Sequence, residues 1–167
     1  AKTGRDVLIK IEGTYHGHHD SLMFSVIPDP DLMGPREHPV TVPQVPGIPT
    51  AFADLVRVVP FNDLHAARQA FEEHRDEVAG MIVEPAMMNC GVILPEPGYL
   101  QGLKDLCHAN GAYLAYDVGS GDGKVERQLG GEVLVGQATD AVGAEESVHG
   151  VSLVEMRIGP GAYAPGP

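Results

Sequence analysis

The chain has 167 residues, enough for one folded domain, with 43% apolar residues and a formal net charge of -12. Eleven lysines and arginines stand against 23 aspartates and glutamates, which excludes a broad nucleic-acid-binding surface, because phosphate backbones are held by clustered cations. No apolar run of about 18 residues marks a membrane span, and two cysteines, Cys90 and Cys107, are too few for a disulfide framework and fit a reducing cytoplasm.

Val7 to Ile11 is apolar and rich in β-branched residues between Gly4 and Gly13, and predicts a first strand. Prolines recur at Pro35, Pro39, Pro43, Pro46 and Pro49, so the stretch from Gly34 to Pro60 is expected to run extended, without regular helix. Val56 to Val59 predicts a second strand. Asn62 is placed to cap a helix from Asp63 to about Arg75, in which Leu64, Ala67 and Phe71 share one face. Ala79 to Glu84 predicts a third strand. After a turn rich in Pro and Gly, Tyr99, Leu103, Leu106 and Cys107 recur at helical spacing, and Asn110-Gly111 closes that helix. Ala112 to Tyr116 predicts a fourth strand.

Apolar strands alternating with amphipathic helices are the pattern of parallel βαβ units, so the expected fold is a three-layer α/β domain around a mostly parallel sheet. Ligands in such sheets sit beyond the carboxyl ends of the strands. Glu12, Glu84 and Asp117 each fall at such an end and are expected to share a site, although any one of them reads equally well as a turn or cap residue. Residues 118–167 hold about half of the chain's 21 glycines and show no amphipathic period, which predicts a Gly-rich, poorly ordered tail. The start at Ala1, without an initiator Met, reads as a piece of something longer.

Two constellations could carry chemistry, and both lie between Glu12 and Asp20. His16, His18, His19 and Asp20 are side chains that zinc accepts, which is the basis of a metal-dependent hydrolase reading. Asp20 directly follows His19 and is not itself followed directly by a histidine, a departure from the His-x-His-x-Asp-His run of metallo-β-lactamase-like hydrolases, so no metal is assigned. The other constellation is a face for a flat ring: Tyr15 follows a strand, and Gly13 and Gly17 beside it allow close approach of the backbone.

Taken in order, Tyr15-His16-Gly17, Val83-Glu84-Pro85, Asn89-Cys90-Gly91, Pro95-Glu96-Pro97-Gly98-Tyr99-Leu100 and Tyr116-Asp117 make residues 1–117 resemble the class III aminotransferases of PLP fold type I. The resemblance is closest to glutamate-1-semialdehyde 2,1-aminomutase and its relatives. It implies a partial large domain over residues 1–117, pyridoxal 5'-phosphate as cofactor, a small-molecule amino-group donor or acceptor, a homodimeric parent and a cytoplasmic location. It also implies that Tyr15 stacks on the pyridine ring with His16 beside it, that Asn89 lies near the ring hydroxyl, that Glu84 borders the substrate pocket and that Asp117 pairs with the pyridine nitrogen. A carboxylate there keeps the nitrogen protonated, so the ring can accept electrons as the substrate's α-proton leaves.

The resemblance stops after Asp117. The family continues Glu-Val-x-Thr-Gly and later brings a Schiff-base lysine before a glycine run, whereas Val118-Gly119-Ser120-Gly121-Asp122-Gly123 follows here and Lys124 comes too soon to serve. The expectation is a truncated or frame-changed copy lacking that lysine, with no catalytic residue assigned. The alternative is a catalytically inactive fold fragment that acts only in association.

Overall fold

The β-branched run Val7–Ile11 forms β1, and Ile9 and Ile11 lose all contact with water in it. The computed structural model describes residues 2–117 and the segment Leu153–Glu155. Beside β1 lie β2 (Val56–Val59), β3 (Val78–Val83) and β4 (Tyr113–Asp117), all parallel, and Leu153–Glu155 adds β5 antiparallel to β4. The order across the sheet is β2-β1-β3-β4-β5, so the sheet is mostly parallel. Two helices, α1 (Leu64–Glu73) and α2 (Tyr99–Ala109), connect β2 to β3 and β3 to β4.

This order decides which face each connection covers. From β2 through β3 to β4 the chain moves one way across the sheet, and right-handed crossovers place both helices on one face. The step from β1 to β2 runs the other way, so its connection, residues 12–55, must cross the opposite face. The burial pattern agrees. Ala67, Ala70 and Phe71 of α1 and Leu103 and Cys107 of α2 pack with Ile9, Ile11, Met81, Val83 and Leu114 in one core. Phe24 from the long connection packs with Val56 and Val58, supported by Ile48 and Phe52, in a second and smaller one. The third layer is therefore mostly irregular chain, with no α-helix among its described residues. Each large apolar side chain in these cores stabilises the fold by roughly 1.5–3 kcal/mol.

Several boundaries differ from those expected. The cap of α1 is Asp63, whose carboxylate accepts from the Ala66 N–H at 2.9 Å, and not Asn62. Asn62 instead adopts a left-handed φ of 59° and uses its amide to bridge the Leu94 carbonyl and the Glu96 N–H. Asparagine tolerates that conformation better than most residues. A 3-10 helix at Thr50–Leu55 occupies the end of the Pro-rich stretch, directly after Pro49, where the prolines stop. In the tail, where no element was expected, β5 extends the sheet; the remainder of residues 118–167 lies outside the described residues.

Two glycines separate packing against backbone from packing against a side chain. A Cβ at Gly80 would sit 2.9 Å from the Tyr113 carbonyl oxygen on the paired strand, which cannot move away. At Gly102 it would meet Leu64 Cδ1 at 2.5 Å, the free end of a flexible side chain. Gly80→Ala is expected to destabilise the fold by about 1–3 kcal/mol. Gly102→Ala, which gains about 1 kcal/mol of helix propensity, should stay near neutral. Urea denaturation of the two variants tests the pair.

Candidate active site

The reversal of chain direction between β1 and β3 opens a crevice at their carboxyl ends, the position where open α/β sheets hold ligands. Leaving β1, the chain turns at Gly13, whose φ of +84° suits glycine, and a Cβ there would lie 2.9 Å from Cys90 Sγ. The Cys90 thiol donates weakly to the Gly13 carbonyl at 3.5 Å, which brings the loop after β3 against the loop after β1. Thr14 is fully buried, and its hydroxyl donates to the Ile11 carbonyl at 2.6 Å.

Tyr15 and His16 follow directly. The Tyr15 N–H donates to Glu84 Oε1 at 3.2 Å, and Glu84 Oε2 accepts the Met88 N–H at 2.7 Å. Glu84, only 5% exposed, thus joins the loops that carry Tyr15 and Asn89. His16 reaches over β3 to the end of β4, where its Nδ1 lies 2.8 Å from Asp117 Oδ2. A carboxylate only accepts, so Nδ1 carries the proton, and Nε2 is buried without a hydrogen-bond partner among the described residues. Tyr15 is half-buried, its hydroxyl 2.9 Å from His18 Nδ1 and the two rings in edge-to-face contact. Asn89 is exposed on the loop tied down through Met88.

Of the three strand-end acids, Glu84 and Asp117 are buried at this crevice, bridged by the Tyr15–His16 segment. Glu12 joins them from the end of β1, half-buried, with Oε1 lacking a hydrogen-bond partner among the described residues. Burial raises its pKa, opposed by the positive charge of Lys10.

The histidine run does not converge. His16 turns to Asp117, His18 to Tyr15 and His19 to the Ser21 hydroxyl. Among the described residues, no group of three or more His, Cys, Asp or Glu side chains gathers as metal ligands do. The hydrolase reading has no geometric support here.

Sequence reasoning passed over Lys10. It lies in β1 level with Val58 and Ile82, on the face crossed by the long connection, and is completely buried. Its ammonium donates to the carbonyls of Thr14, at 3.0 Å, and Phe24. The signal was available, since a lysine between Ile9 and Ile11 in a strand covered on both faces has no water to reach.

Comparison with known proteins adds a family. The aminotransferase class-III family model matches residues 1–124. Two curated relatives are the glutamate-1-semialdehyde 2,1-aminomutases of Exiguobacterium sibiricum, 41% identical, and Staphylococcus carnosus, 44% identical, each over 115 residues. These matches cover 69% of this chain, which spans about 25% of the length of the relatives. Among solved structures, an omega-transaminase from Sphaerobacter thermophilus superposes with a TM-score of 0.61 at 35% identity, covering 69% of this chain and 26% of its own. A glutamate-1-semialdehyde aminomutase variant from Pseudomonas aeruginosa in complex with PMP gives 0.56 at 28% identity, over 67% of this chain and 23% of its own.

Burial lowers the Lys10 pKa from 10.5 to about 8, against the pull of Glu84 and Glu12, which raise it. Between those values the unfolded chain binds more protons than the folded one, so this lysine's contribution to stability rises with pH from about 8 to 10.5 and is constant below. Cys107 and Tyr116, pushed up to about 12 by burial, work in the opposite direction above their ordinary values of 9.0 and 10.0. The readout is therefore the difference between wild type and Lys10→Met. Wild type is expected to gain on the variant across that window, by at most about 3 kcal/mol, in urea melts at stepped pH.

Proposed function

The chain belongs to the class-III aminotransferase family, and on that premise we propose that its crevice is the ring-binding part of a PLP-dependent aminotransferase or aminomutase site of the glutamate-1-semialdehyde aminomutase kind. The parent reaction moves an amino group between carbons of a small molecule. The observation that carries the reading is the buried His16–Asp117 pair at the carboxyl end of β4, beside the half-buried Tyr15 ring.

The donor set fits the ring end of pyridoxal 5'-phosphate. A flat heteroaromatic ring with one N–H donor wants an aromatic face and a carboxylate held away from water, and Tyr15 and Asp117 offer those two things. When bound, the cofactor supplies an electron-withdrawing ring that stabilises negative charge on the substrate carbon. The chain's own residues do the rest. His16 Nδ1–H donates to the buried Asp117 carboxylate, and this bond fixes the direction of the carboxylate. With the cofactor bound, Tyr15 would cover one ring face, Asn89 would lie on the ring-hydroxyl side, and Glu84 would border the substrate while holding both loops. The family match ends at residue 124, and we take the Schiff-base lysine to be lost from this copy after Asp117; Lys124 lies outside the described residues.

A second reading, in which the chain acts only in association, is favoured by its exposed apolar side chains. Ile27, at 78% exposure, and Met88, Val92 and Leu94, each above half, offer surface for another chain to cover. Light scattering across a concentration series tests it: a monomer at every concentration would remove this reading.

For the principal reading, PLP added to the purified chain should show a saturable absorbance change. Asp117→Ala, which loses a charge-assisted contact, should weaken that binding about tenfold or more. An Asp117→Ala variant that binds PLP as well as wild type overturns the assignment. Borohydride reduction followed by intact-mass measurement is expected to leave no stoichiometric adduct; an adduct mapped to one lysine would restore the missing residue.

A further inference from the structure

Thr14 C=O and Tyr15 N–H belong to the same peptide group. The oxygen accepts from Lys10 Nζ at 3.0 Å, and the N–H donates to Glu84 Oε1 at 3.2 Å. A planar amide is therefore held at its negative end by an ammonium and at its positive end by a carboxylate. Lys10 and Thr14 are fully buried and Glu84 is 5% exposed, so water does not screen the arrangement.

We propose that Lys10 and Glu84 are paired positioning residues, a charged clamp on the Thr14–Tyr15 peptide that sets Tyr15 and His16 in place over the crevice. The inference deepens the ring-site reading but stands on contacts within the chain itself. Tyr15 Cα is bonded to the clamped nitrogen, so its ring starts from a fixed point, and the next residue, His16, closes on Asp117. Each clamping side chain also has a second hold. Lys10 takes the Phe24 carbonyl and closes the loop that returns from the site, and Glu84 takes the Met88 N–H and fixes the loop that carries Asn89. Two side chains thereby anchor four backbone groups on the two loops that face the crevice. Hydrogen bonds to charged groups are roughly twice as strong as neutral ones, which suits a hold on segments with no ladder of their own.

A lysine placed only to fill space would be replaceable by methionine, which has similar length and no charge. Glu12 is the other acid that Lys10 feels, and its half-buried Oε1 has no hydrogen-bond partner among the described residues.

Amide hydrogen exchange and nitrogen NMR on the cofactor-free chain test the clamp separately from cofactor binding. In Lys10→Met the Tyr15 amide should exchange at least tenfold faster, while the Phe71 and Leu103 amides in the helices stay within twofold of wild type. In Glu84→Gln both the Tyr15 and Met88 amides should quicken. The His16 ring nitrogen signals, which report its bond to Asp117, should shift in both variants. Unchanged Tyr15 exchange and unchanged His16 signals in a folded variant overturn the proposal. Acceleration spread evenly over the sheet and helices also overturns it, because that marks a purely structural role. If Lys10→Met does not fold, Glu84→Gln decides by the same two readouts. Failure of PLP to bind would remove the ring-site reading and leave these measurements standing.

Discussion

The handedness of crossovers is the constraint on which this structure depends. With the strand order β2-β1-β3-β4, right-handed connections send α1 and α2 to one face and the chain after β1 to the other. β1 and β3 are neighbours whose chains leave in opposite directions, so neither connection closes the gap at their carboxyl ends. Tyr15 leaves β1 on the open side, Glu84 directly follows β3 beside it, and Asp117 ends β4 one strand further on. The three residues are far apart in sequence, and the topology alone brings them to one rim of the sheet.

The two faces of the sheet solve different problems. The helix face is dry and apolar, with Ile9, Ile11, Met81, Val83 and Leu114 packed under Phe71 and Leu103. The opposite face is covered by mostly irregular chain, which has only a short 3-10 helix and an isolated bridge to supply partners for its carbonyls and N–H groups. Buried charge is the solution near the crevice. An isolated ammonium there would be costly to desolvate, and an isolated carboxylate likewise. Lys10 beside Glu84 and Glu12 offsets part of that cost, and burial still leaves its mark in the depressed lysine pKa. The carbonyls of Thr14 and Phe24 and the N–H groups of Tyr15 and Met88 are satisfied in the same arrangement.

The strands and helices were legible because each has a period or an apolar run of its own, and α2 lies where Tyr99, Leu103 and Cys107 placed it. The start of α1 was not, because Asn62 and Asp63 are both good caps; a contact from Asn62 to Leu94 and Glu96, some thirty residues away, settles which one serves. Tyr15, Glu84 and Asp117 could be placed at strand ends from the sequence. The His16–Asp117 bond could not, since it spans 101 positions and depends on strand order. Lys10 reads in isolation as an alternating strand residue facing water. Its burial follows only once the long connection is placed over that face, and the apolar neighbours Ile9 and Ile11, which mark β1 as an inner strand, are the one hint of it in the sequence.

The position of Asp117 adds a final step. It is the last residue of β4, and a strand end on the edge of a sheet frays readily, since half of its backbone groups have no ladder. Here β5 supplies the missing ladder, with Leu153 paired to Asp117 and Val154 to Tyr116. On its other side β4 pairs with β3 as far as Tyr116, and His16 holds the Asp117 carboxylate from above. The residue on which the ring-site reading turns is thus paired to β5, follows the last residue that β3 holds, and is bonded to a side chain from the loop after β1.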